Sequence, residues 1–141
     1  MSGVLPVRRL DPAASLPTRA HADDAGLDLY ALEDAVVPAG AGVLLRTGVA
    51  VAVPAGHAGL ICDRSSLAKR GLKTAGGVVD AGYRGEVGVV VWNLSREAVA
   101  VKKGERCAQL LVIAIATPAP VESEDLGATA RGGGGFGSTG R

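Results

Sequence analysis

The stretch Glu86-Val87-Gly88-Val89-Val90-Val91-Trp92-Asn93-Leu94 decides the fold. Valines and an aromatic ring crowd it, and such side chains fit a pleated strand better than a helix. Gly88 interrupts the run, and a lone glycine in a strand marks a close backbone approach. Outward from this stretch, Gly and Pro turns punctuate the chain at short intervals. Strands are expected over Val4–Leu10, Leu27–Leu32, Val43–Thr47, Val49–Val53 and Gly59–Cys62. In the second of these, Leu27, Leu29 and Ala31 alternate with Asp28 and Tyr30, the period of a half-buried strand. Ala98–Val101, a Lys102-to-Glu105 turn and Cys107–Thr117 read as a hairpin-like unit. One short helix is expected over Ser65–Arg70, capped by serine and ended by Gly71. Many short strands and a single helix indicate an all-β sandwich or barrel.

A chain of 141 residues is one domain large enough for a real core. Fifteen Lys and Arg against fourteen Asp and Glu leave a net charge of +1, with no basic stripe. A nucleic-acid polymer is therefore not an expected partner. Cys62 and Cys107 lie in apolar runs without CxxC spacing, which speaks against a zinc site and for buried thiols in a reducing cytosol. The N-terminus lacks the pattern of a signal peptide. The longest apolar run, Leu110 to Ala116, is far short of the ~20 residues of a membrane helix. A soluble, cytoplasmic protein is expected.

From Pro118 the character changes. Residues 1–117 read as the folded domain and 118–141 as a flexible C-terminal arm, because four consecutive glycines, Gly132 to Gly135, resist a fixed conformation. The arm also carries Arg131, Phe136, Ser138 and Thr139, a cation, a ring and two hydroxyls suited to closing over a phosphorylated aromatic ligand. Its GxGxxG letters and P-loop likeness carry no weight, because no helix can follow and the P-loop lysine is missing. Aromatics are scarce, and Tyr83 and Phe136 sit in glycine-rich sequence, where they read as stacking surfaces.

Two internal segments suit phosphate chemistry. Arg64-Ser65-Ser66 offers a guanidinium, hydroxyls and backbone N–H groups at a helix start. Gly77-Val78-Val79-Asp80-Ala81-Gly82-Tyr83-Arg84-Gly85 sets a carboxylate between an apolar pair and a glycine-rich bend. An anion cradle beside a carboxylate suggests water attacking a phosphate ester or anhydride. Singly, each residue admits an ordinary role: Arg64 a surface ion pair, Asp80 a turn aspartate, Gln109 a satisfied hydrogen-bonder, Asp28 a solvent-facing strand residue. Their co-occurrence points to a site. His21 and His57 form no base–nucleophile pair and receive no chemistry.

Five segments in order resemble the trimeric deoxyuridine triphosphatase (dUTPase) family: Ala25 to Leu29, Arg64 to Ala68, Gly77 to Gly85, Gly104 to Leu110, and Arg131 to Gly140. The resemblance implies a β jelly-roll subunit in a homotrimer with shared active sites. It implies hydrolysis of dUTP to dUMP and pyrophosphate with Mg2+, which clears dUTP and supplies dUMP for thymidylate synthesis. By motif position, Asp80 would deprotonate the water that attacks the α-phosphorus. Tyr83 would pack on the deoxyribose and exclude a 2′-hydroxyl. Arg64, Ser65, Ser66 and Gln109 would hold the triphosphate. Phe136 would cover the uracil, Gly137 would join it in binding substrate, and Arg131 with Ser138 would reach the terminal phosphates. Asp28 would touch Mg2+ through water, the ion being held mainly by the phosphates. Uracil would be read by a hairpin backbone from about Gly76 to Gly88, involving Gly77, Val78, Val79 and Gly88. Some relatives use an asparagine six residues before the catalytic carboxylate; here that position is Thr74, in a loop that looks shorter.

Two alternatives remain. A dCTP deaminase-like or bifunctional enzyme shares the fold and the Arg-Ser-Ser helix, but its glutamate, three residues before an asparagine, corresponds to Val90 before Asn93. A non-catalytic nucleotide-binding regulatory trimer would not need the intact Asp80.

Overall fold

The structure, a computed structural model, describes residues 3–137. Its strands are β1 (Val7–Arg9), β2 (Leu27–Tyr30), β3 (Ala35–Val37), β4 (Gly42–Arg46), β5 (Val49–Val51), β6 (His57–Cys62), β7 (Leu72–Thr74), β8 (Val78–Val79), β9 (Gly88–Asn93), β10 (Val99–Val101) and β11 (Arg106–Ala114). One short helix, α1 (Ser65–Lys69), follows β6. Among the described residues the chain is all-β with that single helix, as the valine run and turn spacing require. All pairings are antiparallel, in sheets ordered β2-β11-β6-β8, β4-β9-β7, β1-β5 and β3-β10. The ladders do not close into a barrel.

The core lies between the two larger sheets. Val89 and Val91 of β9 and Leu45 of β4 meet Leu29 of β2, Ile61 of β6 and Leu110 of β11 in one buried cluster. Each such side chain contributes about 1.5–3 kcal/mol on burial, so this cluster holds the layers together. Cys107 joins it, and burial pushes its thiol up to about 12. Cys62 is only half-buried, at the end of β6.

The helix differs from expectation at its start. Its N-cap is Arg64, in extended conformation and without a side-chain cap bond, so the serines stand inside the first turn. That leaves their hydroxyls free of capping duty. Gly71 (φ +94) ends the helix as expected, its N–H bonded to the Ala68 carbonyl.

Two further readings need correction. β10 and β11 form no hairpin: β10 pairs with β3, and β11 with β2 and β6. The intervening turn is pinned to the end of β2, Gly104 N–H donating to the Ala31 carbonyl and Ala31 N–H to that of Glu105. Those bonds carry the chain from one sheet to the other. Likewise Gly76 to Gly88 is an arch, since β8 pairs with β6 while β9 pairs with β4 and β7. The strands β3, β7 and β8 escaped the sequence reading, and β8, with two residues, is too short to show a period.

Candidate active site

Positive φ angles at Gly76 (+74) and Gly77 (+111) swing the chain from β7 onto the edge of β6. Side chains resist that region, and a Cβ at Gly77 would also press within 2.9 Å of the Ile61 Cβ. Gly77 is fixed there by its carbonyl, which accepts from Ile61 N–H at 2.7 Å. β8 then forms the outer edge of its sheet. An edge strand keeps one row of N–H and C=O groups unpaired, which is the equipment for reading the edge of a flat base. Beyond it, the chain turns at Asp80, whose carbonyl accepts from Tyr83 N–H at 3.1 Å. The Tyr83 hydroxyl donates to the Glu86 carbonyl at 2.7 Å, setting the ring across the arch.

Gly77, Val78, Val79, Asp80, Tyr83 and Gly88 line one pocket of about 230 Å³ with Ile61, Glu86 and Val87. The structure thus brings together every arch residue singled out from sequence. The close approach at Gly88 has an additional cause within the chain: a Cβ there would come within 2.6 Å of Leu44 Cδ1.

The second group gathers elsewhere. Asp28, Arg64, Ser65 and Gln109 line a pocket of about 380 Å³, together with Asp24, Gly26 and Arg106. The Asp28 carboxylate faces two guanidiniums, Arg64 Nε at 3.1 Å and Arg106 Nη1 at 3.8 Å. Arg64 also donates to Ser66 Oγ at 3.4 Å, which places Ser66 beside the pocket rather than in its lining. Gln109 Nε2 donates to the Asp63 carbonyl at 2.8 Å. The modest roles considered for Arg64, Asp80 and Gln109 are therefore all occupied in the chain as it stands. No residue lines both pockets.

Residues 118–137 hold no strand or helix. Phe136 is fully exposed with φ +51, and the Arg131 Nε donates to the nearby Gly134 carbonyl at 2.6 Å. Neither lines either of these two pockets. Ser138 lies outside the described residues.

Three functional candidates were missed by sequence reasoning. Arg106, within the quoted Gly104–Leu110 segment, adds a second cation to the phosphate-like pocket. Glu86 accepts from Arg46 at 3.1 and 3.2 Å and from Gly48 N–H at 3.1 Å, bracing the arch against β4. The Arg46 hydrogen bond outweighs the opposing effect of burial and holds the Glu86 carboxyl below its ordinary value. Asp63 accepts from Lys73 Nζ at 2.6 Å and Thr74 N–H at 2.7 Å. Burial pushes the Asp63 carboxyl up, yet these bonds prevail and hold it below the ordinary value. The only signals were position: Asp63 precedes Arg64, and Glu86 follows the Gly85 bend.

The donor set bears on metals. Among the described residues, no cluster of three or more His, Cys, Asp or Glu is placed to hold an ion. The phosphate-like pocket holds two carboxylates, Asp28 facing two guanidiniums and Asp24 bonded to His21 Nδ1 at 3.1 Å, and this donor set does not fit an ion caged by protein. Also among the described residues, no helix is long and apolar enough to cross a membrane.

A family model described as dUTPase matches residues 13–140. The deoxyuridine 5'-triphosphate nucleotidohydrolase of Mycobacterium marinum is 47% identical, over 99% of this chain and 97% of that protein. Its counterpart in Nocardia farcinica is 50% identical, over 96% of this chain and 85% of that protein. The solved Staphylococcus bacteriophage 80alpha dUTPase with dUpNHpp matches with TM-score 0.92 at 30% identity, covering 99% of this chain and 100% of the other. A variant dUTPase of phage phi11 of S. aureus, described as coordinating a structural Mg(II) ion, matches with TM-score 0.81 at 28% identity, over 87% of this chain and 98% of that one.

Proposed function

Since this chain belongs to the dUTPase family and hydrolyses dUTP to dUMP and pyrophosphate, we propose that Asp80 is the base that activates the attacking water. The observation that carries this is the partition of the two pockets. One holds Asp80, Tyr83 and an unpaired strand edge, the equipment for a nucleoside. The other holds Arg64, Arg106, Ser65 and Gln109, the equipment for phosphates. In this reading the backbone of Gly77, Val78, Val79 and Gly88 reads the uracil edge. Tyr83 lies on the deoxyribose face, where its ring excludes a 2′-hydroxyl. Arg64, Ser65, Ser66 and Gln109 hold the triphosphate, with Arg64 exchanging its pairing to Asp28 for a phosphate. Asp80, at the rim beside the sugar, takes a proton from the water as it attacks the α-phosphorus. Phe136 and Gly137 close over the base, and Arg131 with Ser138 reaches the terminal phosphates. Mg2+, when bound, would neutralise charge on the phosphates that carry it. Asp28 would orient waters of its shell.

The partition also supports a shared site. One nucleotide needs both pockets at once, and no residue of a single chain lines both. A homotrimer of jelly-roll subunits, as in the family, would join the arch of one chain to the phosphate cradle of the next and the arm of a third. Residues 1–117 are the body in this reading and 118–141 the arm. A neighbouring copy has an apolar surface to cover on the outer face of β4 and β9, where Leu44, Val90 and Trp92 are exposed. Leu44→Glu with Trp92→Glu is expected to give monomers by native mass spectrometry and to abolish dUTP turnover. A variant that remains trimeric would move the interface elsewhere.

The reaction is tested by incubating the protein with dUTP, dCTP, dTTP and UTP plus Mg2+ and identifying the products. Pyrophosphate and dUMP are expected from dUTP, with the others turned over poorly. Equal rates on UTP and dUTP would remove the role given to Tyr83. Ammonia from dCTP would restore the deaminase reading, against which Val90 faces outward and lines neither pocket.

A further inference from the structure

We propose that Asp63 is a positioning residue that ties the phosphate cradle to the base-reading arch within one chain. The proposal rests on the roles given above to the two pockets. Asp63 is the last residue before Arg64, whose extended conformation launches α1 with its serines. Each of its three oxygens has a separate task. The backbone carbonyl accepts from Gln109 Nε2 at 2.8 Å, which orients a carboxamide in the phosphate pocket. One carboxylate oxygen accepts from Thr74 N–H at 2.7 Å, and the other from Lys73 Nζ at 2.6 Å. Thr74 ends β7, and two residues later Gly76 and Gly77 turn the chain into the pocket that holds Asp80.

This link matters because the arch has few other anchors at its entry. Ala75 N–H donates to the Val90 carbonyl at 3.0 Å, and the next bond runs from Ile61 N–H to the Gly77 carbonyl. Thr74, paired with β9 as part of β7, is thus also tied to Asp63, and the short Ala75-to-Gly77 connection runs on from it to β6. Removing the carboxylate leaves a part-buried N–H without its acceptor and loosens the tie between the end of β7, still paired with β9, and the loop that carries Arg64. Lys73 contributes less, since it is more than half exposed and surface ion pairs are weak. The dependable element is the oxygen that receives the Thr74 N–H.

The two half-sites can be read separately: inorganic triphosphate probes the cradle and dUMP probes the arch. In Asp63→Ala, affinity for both probes is expected to fall about tenfold, with KM for dUTP rising likewise and kcat changing far less. Asp63→Asn retains a carbonyl oxygen for Thr74 and is expected to stay within about threefold of the unmodified protein, as is Lys73→Met. If Asp63→Ala fails to fold, Asp63→Glu serves instead: it keeps the charge, displaces the loop by one methylene, and should weaken both probes. Unchanged affinity for either probe in both Asp63→Ala and Asp63→Glu would overturn the link. So would an Asp63→Asn as impaired as Asp63→Ala. An unmodified protein inactive on dUTP would sink the functional reading instead, and the probe affinities would still decide the link.

Discussion

Asp80→Asn is expected to bind a non-hydrolysable imido analogue of dUTP as the unmodified chain does and to lose about 10²–10⁴-fold in kcat. The carboxamide matches the carboxylate in shape but accepts no proton from water. The fold has no reason to suffer, because Asp80 anchors its turn through the backbone carbonyl that accepts from Tyr83 N–H. Calorimetric titration with the analogue and pyrophosphate release under saturating dUTP separate the two effects. A loss smaller than about tenfold would assign the base elsewhere. The competing carboxylate in that pocket is Glu86. It is poorly suited, since bonds from Arg46 and Gly48 stabilise its charged form and hold its carboxyl low. A group kept low in this way is a weak proton acceptor, and its bonds brace the arch instead.

How far the sequence carried depends on the length of the signal. The Glu86–Leu94 run announced β9 because valines crowd it, and the structure alternates their burial, Val89 and Val91 inside against Val90 and Trp92 outside. β2 was legible from the alternation of Leu27 and Leu29 with Asp28 and Tyr30. The pairing of strands was not. A turn between two strands looks like a hairpin from its residues alone, and only the bonds of Gly104 and Ala31 send β10 and β11 to different partners. The arch from Gly76 to Gly88 misled in the same manner, since β8 has two residues and no period to reveal its sheet.

Site residues were legible where backbone chemistry leaves a trace. Glycines that bend the chain, a carboxylate at the turn and an Arg-Ser-Ser helix start all survive in the letters. Asp63 and Glu86 left only their position, because an aspartate that accepts from a strand end, or a glutamate that braces a loop, needs a partner distant in sequence. Glu86 is held by Arg46, 40 positions away. The serine cap failed on a finer point: Ser65 stands one residue past the N-cap, inside the turn.

Deleting the arm should nearly silence the enzyme. A ring stacked on a base contributes roughly 1–3 kcal/mol, and Arg131 would add a cation for the terminal phosphates. A truncation ending at Ala128 removes both and is expected to lower kcat/KM by well over tenfold. Because Arg131 and Phe136 reach neither pocket of their own chain, the arm is read as serving a neighbour. That claim, a site assembled from different chains, is tested most directly by mixing two dead parents. Asp80→Asn chains and chains ending at Ala128 are co-refolded in equal amounts, with mixed trimers verified by native mass spectrometry. A live site needs its arch from a truncated chain and its arm from an Asp80→Asn chain, which random mixing supplies at about one site in four. dUTP turnover is expected to return to about a quarter of the unmodified rate from parents that have almost none. Verified mixed trimers with no recovered activity would show that arch and arm belong to one chain, and would contradict the shared site.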